Sequence, residues 1–344
     1  MSTGVAFVLA IIVVAFCFDF INGFHDAANS IATVVSTRVL SPSAAVVWAA
    51  AFNFIAVFVF GTAVAKTMGK GLVDLSIVDS NVILGGLIGA IVWDLITWWA
   101  ALPTSSSHAL MGGYGGAAVA KVGLPAIIAS GWVKPLLWIV LAPVIGLVLA
   151  LALTVALSWA LRRALPRKVD HTFRRLQLIS AAAYSLGHGT NDAQKTMGII
   201  VGLLFAERAF FEHFPVHQLY LTTPDHVPTW VVLWAGAAMG LGTMAGGWRI
   251  VKTMGQRITR LQPFGGFCAE TSGAITLFVA SHYGIPVSTT HTITGAISGV
   301  GAARRMSAVR WGVAGRIVWA WILTIPAAAF AAAVAYFILH AVLS

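Results

Sequence analysis

Two short motifs, one in each half of the chain, place an aspartate inside a strongly apolar stretch. Residues 23–27 read Gly-Phe-His-Asp-Ala, and residues 189–193 read Gly-Thr-Asn-Asp-Ala. At the centre of an apolar membrane span a carboxylate costs about 3 kcal/mol unless it faces water, an ion or a polar partner. Asp26 and Asp192 are therefore candidates for holding a cation or a proton, and their duplication favours a functional role over a purely structural one.

Further polar side chains lie beside both aspartates, and a third acid lies in another apolar stretch. A helix broken at such a motif frees backbone carbonyls, which suit a cation, and amides at the new N-terminus, which suit an anion. The third acid, Glu270, has Leu87 as its counterpart in the first half, so a coupling role and a structural role both stay open for it. The candidate ligands of a coupling ion are Asn22, His25, Asp26, Asn191, Asp192 and Glu270.

A second pair of motifs is rich in hydroxyl groups. Residues 103–108 read Pro-Thr-Ser-Ser-Ser-His, and residues 286–291 read Pro-Val-Ser-Thr-Thr-His. Proline followed by serine or threonine is typical of a helix start, where free amides and hydroxyls favour an anion at the positive end of the helix dipole. The candidate anion-binding residues are Asp26, Asn29, Ser105, Ser106, Ser107, Asn191, Asp192, Ser288, Thr289 and Thr290.

The histidines that end the two hydroxyl runs, His108 and His291, raise the alternative of a serine hydrolase. The sequence has no Gly-x-Ser-x-Gly elbow to expose such a serine. Two symmetric active sites would also be unusual for a hydrolase. We therefore interpret the chain as a non-enzyme without a resident metal or cofactor, in which these histidines are structural or handle protons.

The elements that position these motifs are duplicated as well. A third match, Lys-Thr-Met-Gly, occurs at residues 66–69 and 252–255. The three pairs are separated by offsets of 166, 186 and 183 and fall in the same order in both halves. Chance is a poor explanation for three such matches, so the chain is interpreted as an internal repeat.

Composition excludes the soluble classes of protein. Of the 344 residues 59% are hydrophobic and 9% are charged, and the mean hydropathy is +0.89. Ordinary soluble domains carry about 25% charged residues. The chain therefore lacks the polar surface of a soluble enzyme and is predicted to be an all-α polytopic membrane protein.

Ten apolar segments, five in each half, are predicted to lie in the membrane, since a crossing helix needs about 20 mostly apolar residues. We expect the first and the sixth to break at the aspartate motifs. The fourth and the ninth are short, and either cross fully or re-enter as hairpins that meet at the midplane. The segments cover residues 4–35, 43–64, 81–102, 105–120, 133–161, 176–206, 229–248, 264–283, 288–303 and 311–343.

Most of the 21 basic residues fall on one side of this arrangement, which predicts that side to be cytoplasmic and both termini to lie outside. Five crossings per half would insert the second copy upside down. The predicted units are inverted repeats over residues 1–165 and 176–344, a basic cytoplasmic linker over 166–175, and an outer loop at 207–228. Topology thus accounts for the net charge of +10. The expected partner is the lipid bilayer, not nucleic acid.

The paired aspartate and hydroxyl motifs, in order over nearly the whole chain, resemble those of the inorganic phosphate transporter (Pit) family. His25, where that family usually has asparagine, and the Gln-Lys pair at 194–195 are similar to its bacterial low-affinity branch. The resemblance implies symport of inorganic phosphate with protons across the inner (plasma) membrane, often as a complex with a divalent metal. The wider family includes sodium-coupled members that bind phosphate and sodium between two broken-helix repeats.

We expect protons rather than sodium as the coupling cation, because His25 can titrate near neutral pH. Sodium-coupled phosphate symport and transport of another oxyanion such as sulfate are the alternatives. Phosphate near neutral pH still carries a proton that it can donate to a carboxylate, whereas sulfate has none. The sequence leaves open whether the protein forms a homo-oligomer, since lipid-facing and partner-facing surfaces look alike.

Overall fold

The computed structural model describes residues 2–59, 61–212 and 217–343, and these ranges are helical apart from their connections. Within them the one extended pairing is a single bridge between Val73 and Ile127. The helices are α1 (Ser2–Ser36), α2 (Pro42–Val59), α3 (Ala63–Lys70), α4 (Ser80–Trp99), α5 (Ser106–Val122), α6 (Ala129–Ala160), α7 (Pro166–Ala206), α8 (Arg208–Phe211), α9 (Thr229–Ala245), α10 (Trp248–Lys252), α11 (Pro263–His282), α12 (Thr289–Arg304) and α13 (Trp311–Leu343). The predicted all-α class is confirmed.

Several of these helices have the length and composition of membrane spans. Among the described residues, α1, α2, α4, α6 and α13 are long and apolar enough to cross a bilayer. A sixth candidate is α9 together with the segment that ends at Arg257, and the two parts are bent by 60°. The bend lies at Gly246, whose φ of 67° is a conformation that glycine adopts without a steric penalty.

The predicted helix breaks at the two aspartate motifs are wrong. α1 runs without interruption past Asp26, and α7 runs without interruption past Asp192. Both carboxylates have polar partners on neighbouring helices, so the backbone does not have to open to satisfy them. The basic segment 166–175, predicted as a linker, forms the first turns of α7, because Pro166 fits the first helical turn and Asp170 pairs with Arg174 at 3.0 Å.

The predicted helix starts in the hydroxyl motifs are confirmed. The Ser105 hydroxyl accepts a hydrogen bond from the His108 amide at 3.3 Å and caps α5. The Ser288 hydroxyl does the same for the His291 amide at 3.1 Å and caps α12. The imidazole rings of these two histidines lie 4.8 Å apart, so the two helices begin next to each other inside the protein.

α5 and α12 leave this meeting point toward different ends of the molecule. α5 packs against α4 and ends beside its start, where Lys121 Nζ lies 2.6 Å from the Asp79 carboxylate. α12 packs against α11 and ends beside its start, where Arg304 donates to the Gln262 side chain at 3.1 Å. α5 therefore runs from the interior back to the end of the molecule at which α4 begins, and α12 runs from the interior back to the end at which α11 begins.

The two ends carry different charged residues. At one end the cavities are lined by arginines, among them Arg38, Arg260, Arg304, Arg305 and Arg310, and we call it the arginine end. At the other end Lys70 pairs with Asp225 and Lys121 with Asp79, each at 2.6 Å, and we call it the lysine end. α4 connects the two ends: Asp79 caps its first turn, and Arg249 donates to the Trp99 carbonyl at its last turn.

The two halves are interlaced rather than side by side. α6 of the first half packs along α12 of the second, and α13 of the second half packs along α5 of the first. Likewise α2 packs on α7 and α9 packs on α1. Each half therefore supplies helices that cover the motif-bearing helices of the other half.

Glycines allow the closest of these crossings. A Cβ at Gly23 would lie 2.3 Å from a carbonyl oxygen of α9, and one at Gly189 would lie 2.4 Å from a carbonyl oxygen of α2. Gly112 of α5 faces α13 and Gly295 of α12 faces α6 in the same way. Small residues let membrane helices approach to backbone contact. The glycine of each aspartate motif thus sets the distance at which the neighbouring helix packs.

Candidate functional site

The two aspartates that the sequence places in separate halves meet in the folded chain. Asp26 on α1 and His188 and Asp192 on α7 each offer a side-chain ligand atom, and these three atoms lie within 4.8 Å of one another. All three residues are at most 2% exposed. The cluster is therefore closed to solvent in this conformation.

Asp192 collects donors from three elements. One carboxylate oxygen, Oδ1, accepts hydrogen bonds from Lys195 Nζ at 2.5 Å and from the Ser107 hydroxyl of α5 at 3.5 Å. The other, Oδ2, accepts from the Thr289 hydroxyl of α12 at 3.1 Å. The hydroxyl motifs of both halves thus converge on the aspartate of the second half.

Asp26 has a matching but sparser set of partners. Its Oδ1 accepts from His25 Nδ1 at 2.7 Å and from the Thr290 hydroxyl at 3.5 Å. Asn29, one turn further along α1, donates from Nδ2 to the hydroxyls of Thr289 and Thr290 at 3.1 and 2.9 Å. α1 is therefore joined to the start of α12 by two polar side chains.

His25 and Asn191 occupy equivalent positions of the two aspartate motifs, and each lies against the segment that precedes a short helix. His25 Nε2 lies 3.1 Å from the Thr97 hydroxyl of α4 and 3.5 Å from the hydroxyl of Thr104, just before α5. Asn191 donates to the Ile285 carbonyl at 3.1 Å and accepts from the Val287 amide at 3.1 Å, just before α12. In this conformation both polar groups of the Asn191 amide are used to fasten that loop and do not point into the aspartate cluster.

The other predicted anion and ion ligands are buried, but they differ in how they are engaged. Ser105 and Ser288 use their hydroxyl oxygens to cap α5 and α12. Ser106 lies in the first turn of α5 and is fully buried. Asn22 lies one turn before Asp26 on α1 and is 1% exposed.

Glu270 lies in a polar pocket of its own. Its carboxylate accepts from Gln177 Nε2 at 3.0 Å and from the Ser180 hydroxyl at 2.5 Å, both on α7. Gln177 in turn accepts from the Thr37 hydroxyl at the end of α1 at 2.9 Å. The structure thus places this candidate in a network between α11, α7 and α1 rather than among the hydroxyl motifs.

His188 belongs to the cluster although the sequence did not single it out as a ligand. Its Nδ1 lies 3.2 Å from the Asn53 amide oxygen, whose orientation is fixed because Asn53 Nδ2 donates to the Thr243 hydroxyl at 2.9 Å. Nδ1 therefore carries the proton. Nε2 lies 3.2 Å from Asp192 Oδ2, and no hydrogen bond joins the two atoms.

Lys195 is the second residue that the predicted site lacked. It is 1% exposed, and its ammonium contacts Asp192, Ser107 and the Val287 carbonyl. The sequence offered a signal, because few basic residues fall within the predicted spans and a buried lysine in a membrane is costly without a role.

Comparison with known proteins gives the family. Residues 22–332 match the phosphate transporter family. The chain is 58% identical over 339 residues to a probable low-affinity inorganic phosphate transporter of Rhizobium meliloti, with 98% of both chains covered. It is 43% identical to a protein of the same description from Bacillus subtilis, with 96% of this chain and 97% of that one covered.

A solved structure has the same overall fold. It is described as the sodium-dependent phosphate transporter, and the two chains superpose with a TM-score of 0.84 at 25% sequence identity. The match covers 97% of this chain and 99% of that one. The helical arrangement described above is therefore that of a membrane transporter and not that of an enzyme.

Proposed function

The chain belongs to the phosphate transporter family, and from that premise we propose that it carries inorganic phosphate through the membrane as a cation-coupled symporter. The observation that carries the proposal is the convergence of Asp26, Asp192 and the starts of α5 and α12 in one buried cluster. Hydroxyls and helix starts offer donors to an anion, and the carboxylates offer acceptors to its proton or to a cation.

Phosphate suits this mixture of groups better than sulfate. Near neutral pH phosphate carries at least one proton that it can donate to Asp26 or Asp192, whereas sulfate has none and would meet two negative charges. Excess sulfate is therefore expected to leave the uptake of labelled phosphate unchanged. Inhibition by sulfate as strong as that by unlabelled phosphate would favour the alternative of a general oxyanion carrier.

We propose that phosphate can travel with a divalent metal, which the residues of the cluster would accommodate. Asp26, Asp192 and His188 Nε2 converge, and the Nδ1–H group of His188 is oriented by Asn53, as is typical of a metal-ligating histidine. Labelled calcium is expected to enter proteoliposomes together with phosphate. Phosphate uptake that is indifferent to a chelator would contradict this part of the proposal.

Protons are the proposed coupling cation, with the His25–Asp26 pair as their carrier. The two side chains are hydrogen-bonded at 2.7 Å and are almost fully buried, so a proton bound there is shielded from bulk water. Sodium coupling is the alternative, and the related solved structure is described as sodium-dependent. Uptake driven by a pH gradient alone, and then by a sodium gradient alone, separates the two.

We propose that transport occurs by alternating access between two inverted repeats. The paired contacts α6–α12 with α13–α5, and α2–α7 with α9–α1, have the pattern expected of a two-fold arrangement. The buried cluster lies where the two copies meet, which is where such transporters bind their substrates. Rocking of one set of helices against the other would open the cluster to one end at a time.

The proposed orientation in the cell membrane places the arginine end in the cytoplasm and both termini outside. The first turns of α1, at Gly4, line a cavity with Asp79 and Glu207 of the lysine end, and arginines are expected on the cytoplasmic side. Arg163 lies in the exposed connection between α6 and α7, which the proposed orientation places in the cytoplasm. In a chain without native cysteines, Asp225→Cys should react with an impermeant thiol reagent in intact cells, and Arg163→Cys only after permeabilisation. The reverse pattern would invert the proposed topology.

The experiment that tests the main proposal is phosphate uptake by purified protein in proteoliposomes. Asp26→Asn and Asp192→Asn each remove a charged acceptor worth about 1.5–3 kcal/mol, so each should lower coupled uptake by about tenfold to a hundredfold. Asp170→Asn is the matched control, because its carboxylate pairs with Arg174 at the surface. Full coupled uptake by both cluster variants would refute the mechanism.

A further inference from the structure

The ammonium group of Lys195 lies in a site built like one for a free cation. Its Nζ contacts the Asp192 carboxylate at 2.5 Å, the Val287 backbone carbonyl at 2.8 Å, and the Ser107 hydroxyl. Carboxylate, carbonyl and hydroxyl oxygens are the ligands that proteins offer to sodium and other hard cations. The three ligands come from α7, from the loop before α12 and from α5.

The internal repeat gives Lys195 a neutral counterpart. The offset of 166 that relates Asp26 to Asp192 relates Asn29 to Lys195. Asn29 donates to the Thr290 hydroxyl of α12, and Lys195 contacts Ser107, the equivalent residue of α5. The two side chains thus make corresponding contacts, and only the one in the second half brings a positive charge.

The donors of Lys195 are fully used. An ammonium group has three N–H donors, and the three oxygen ligands account for all of them. In this conformation the lysine therefore presents no free donor to a bound phosphate. Its contribution is its charge, which neutralises one of the two aspartates of the cluster.

We propose that Lys195 is a tethered cation that takes the place of one co-transported cation at Asp192. This inference rests on the proposed function, because it concerns the number of cations that accompany phosphate. With Lys195 present, Asp192 needs no mobile counter-ion, and Asp26 is the carboxylate left to bind the coupling cation. With a neutral residue at 195, the carboxylate, carbonyl and hydroxyl would form a vacant cation site, and transport would require one more cation for each phosphate.

The test replaces the lysine by the residue that stands at the equivalent position of the first half. Phosphate uptake by Lys195→Asn in sodium-free choline medium should fall at least about tenfold, because the buried Asp192 carboxylate loses the ammonium group that pairs with it. Added sodium chloride should restore much of that loss, while wild-type uptake changes little on the same addition. Lys121→Asn is the control: it removes a lysine that also pairs with an aspartate, but at the lysine end.

A second measurement does not depend on transport. Sodium chloride should raise the melting temperature of purified Lys195→Asn by several degrees more than that of the wild type, with choline chloride as the ionic-strength control. Lys195→Arg, which keeps the positive charge, should show no larger sodium response than the wild type. Asp192→Asn/Lys195→Asn should lose the sodium response, because the carboxylate that would hold the ion is gone.

The outcomes separate this inference from the proposed function. Wild-type protein that moves no phosphate would refute the proposed function, whereas the thermal measurement would still test the cation site. Lys195→Asn with wild-type uptake in choline, or a folded variant that shows no response to sodium in either measurement, would overturn the inference. If Lys195→Asn does not fold, Asp192→Asn/Lys195→Asn should still fold in sodium-free medium. A double variant that folds only when sodium is present would also overturn the inference.

Discussion

At the level of single residues, the two aspartates have different environments although their motifs match. Asp192 is surrounded by Lys195, His188, Ser107 and Thr289, whereas Asp26 has His25 and Thr290. A permanent positive charge beside only one of them makes the pair unequal. We therefore expect the second-half aspartate to stay ionised as part of the anion site and the first-half aspartate to exchange the coupling cation.

His25 tests that division of roles. His25→Asn installs the residue that stands at the equivalent position of the second half, Asn191, so the fold should be kept. The titratable group beside Asp26 is lost. Phosphate uptake driven by a pH gradient should fall to background while phosphate binding to the purified protein persists. Full pH-driven uptake by this variant would exclude His25 as the proton carrier.

Glu270 is proposed as a second, separate carrier of the coupling cation. Its network joins α11 to α7 through Gln177 and Ser180, so Glu270→Gln turns an NH2 group toward one of these two hydrogen-bond donors. We expect a loss of stability of about 1–3 kcal/mol, seen as a lower melting temperature in detergent, together with weaker dependence of uptake on the cation gradient. A variant that is less stable but equally coupled would show that Glu270 is only structural.

At the level of helices, the aspartate motifs do two things at once. Their aspartates enter the buried cluster, and their glycines bring α1 against α9 and α7 against α2. The side chain of Asn53, on α2, orients His188 in that second crossing. Close packing and the geometry of the site are therefore set by the same two crossings.

Gly23→Ala and Gly189→Ala test the helix crossings. A methyl group at either position would lie within 2.4 Å of a backbone oxygen, so the helices must separate at a cost of about 1–3 kcal/mol. Melting temperature in detergent should fall for both variants, and uptake should fall with it. Gly312→Ala and Gly315→Ala, which have no neighbouring atom within 4 Å, should be neutral or slightly stabilising. Equal effects at all four positions would contradict this explanation.

At the level of the whole molecule, neither half has a complete set of packing partners. α13 of the second half covers α5 of the first, and α6 of the first half covers α12 of the second. Without its partner, each half would therefore leave its own short helix uncovered. A chain divided at the exposed residues 162–165 should give a stable complex when both pieces are co-expressed. Each piece alone should aggregate in detergent, as judged by size-exclusion chromatography. A monodisperse single half would contradict the interlaced arrangement.

The membrane class and the capped helix starts were predictable from the sequence because they depend on composition and on local features. The high fraction of apolar residues shows that most of the surface cannot face water. Ser105 and Ser288 cap their helices through amides only three residues away. The breaks predicted in α1 and α7 failed, because whether a polar motif opens a helix depends on partners supplied by distant helices.

The sequence by itself determined which residues are functional candidates: two aspartates, two hydroxyl runs and the helices that contain them. Only the tertiary structure decided how they are used. It directed the Asn191 amide to a loop, placed Glu270 in a separate network, and brought Ser107 and Thr289 to Asp192. The physical reason is that burying a charge in an apolar segment costs free energy wherever that segment lies. The groups that stabilise the buried charge come from distant helices, which meet only when the two halves interlace.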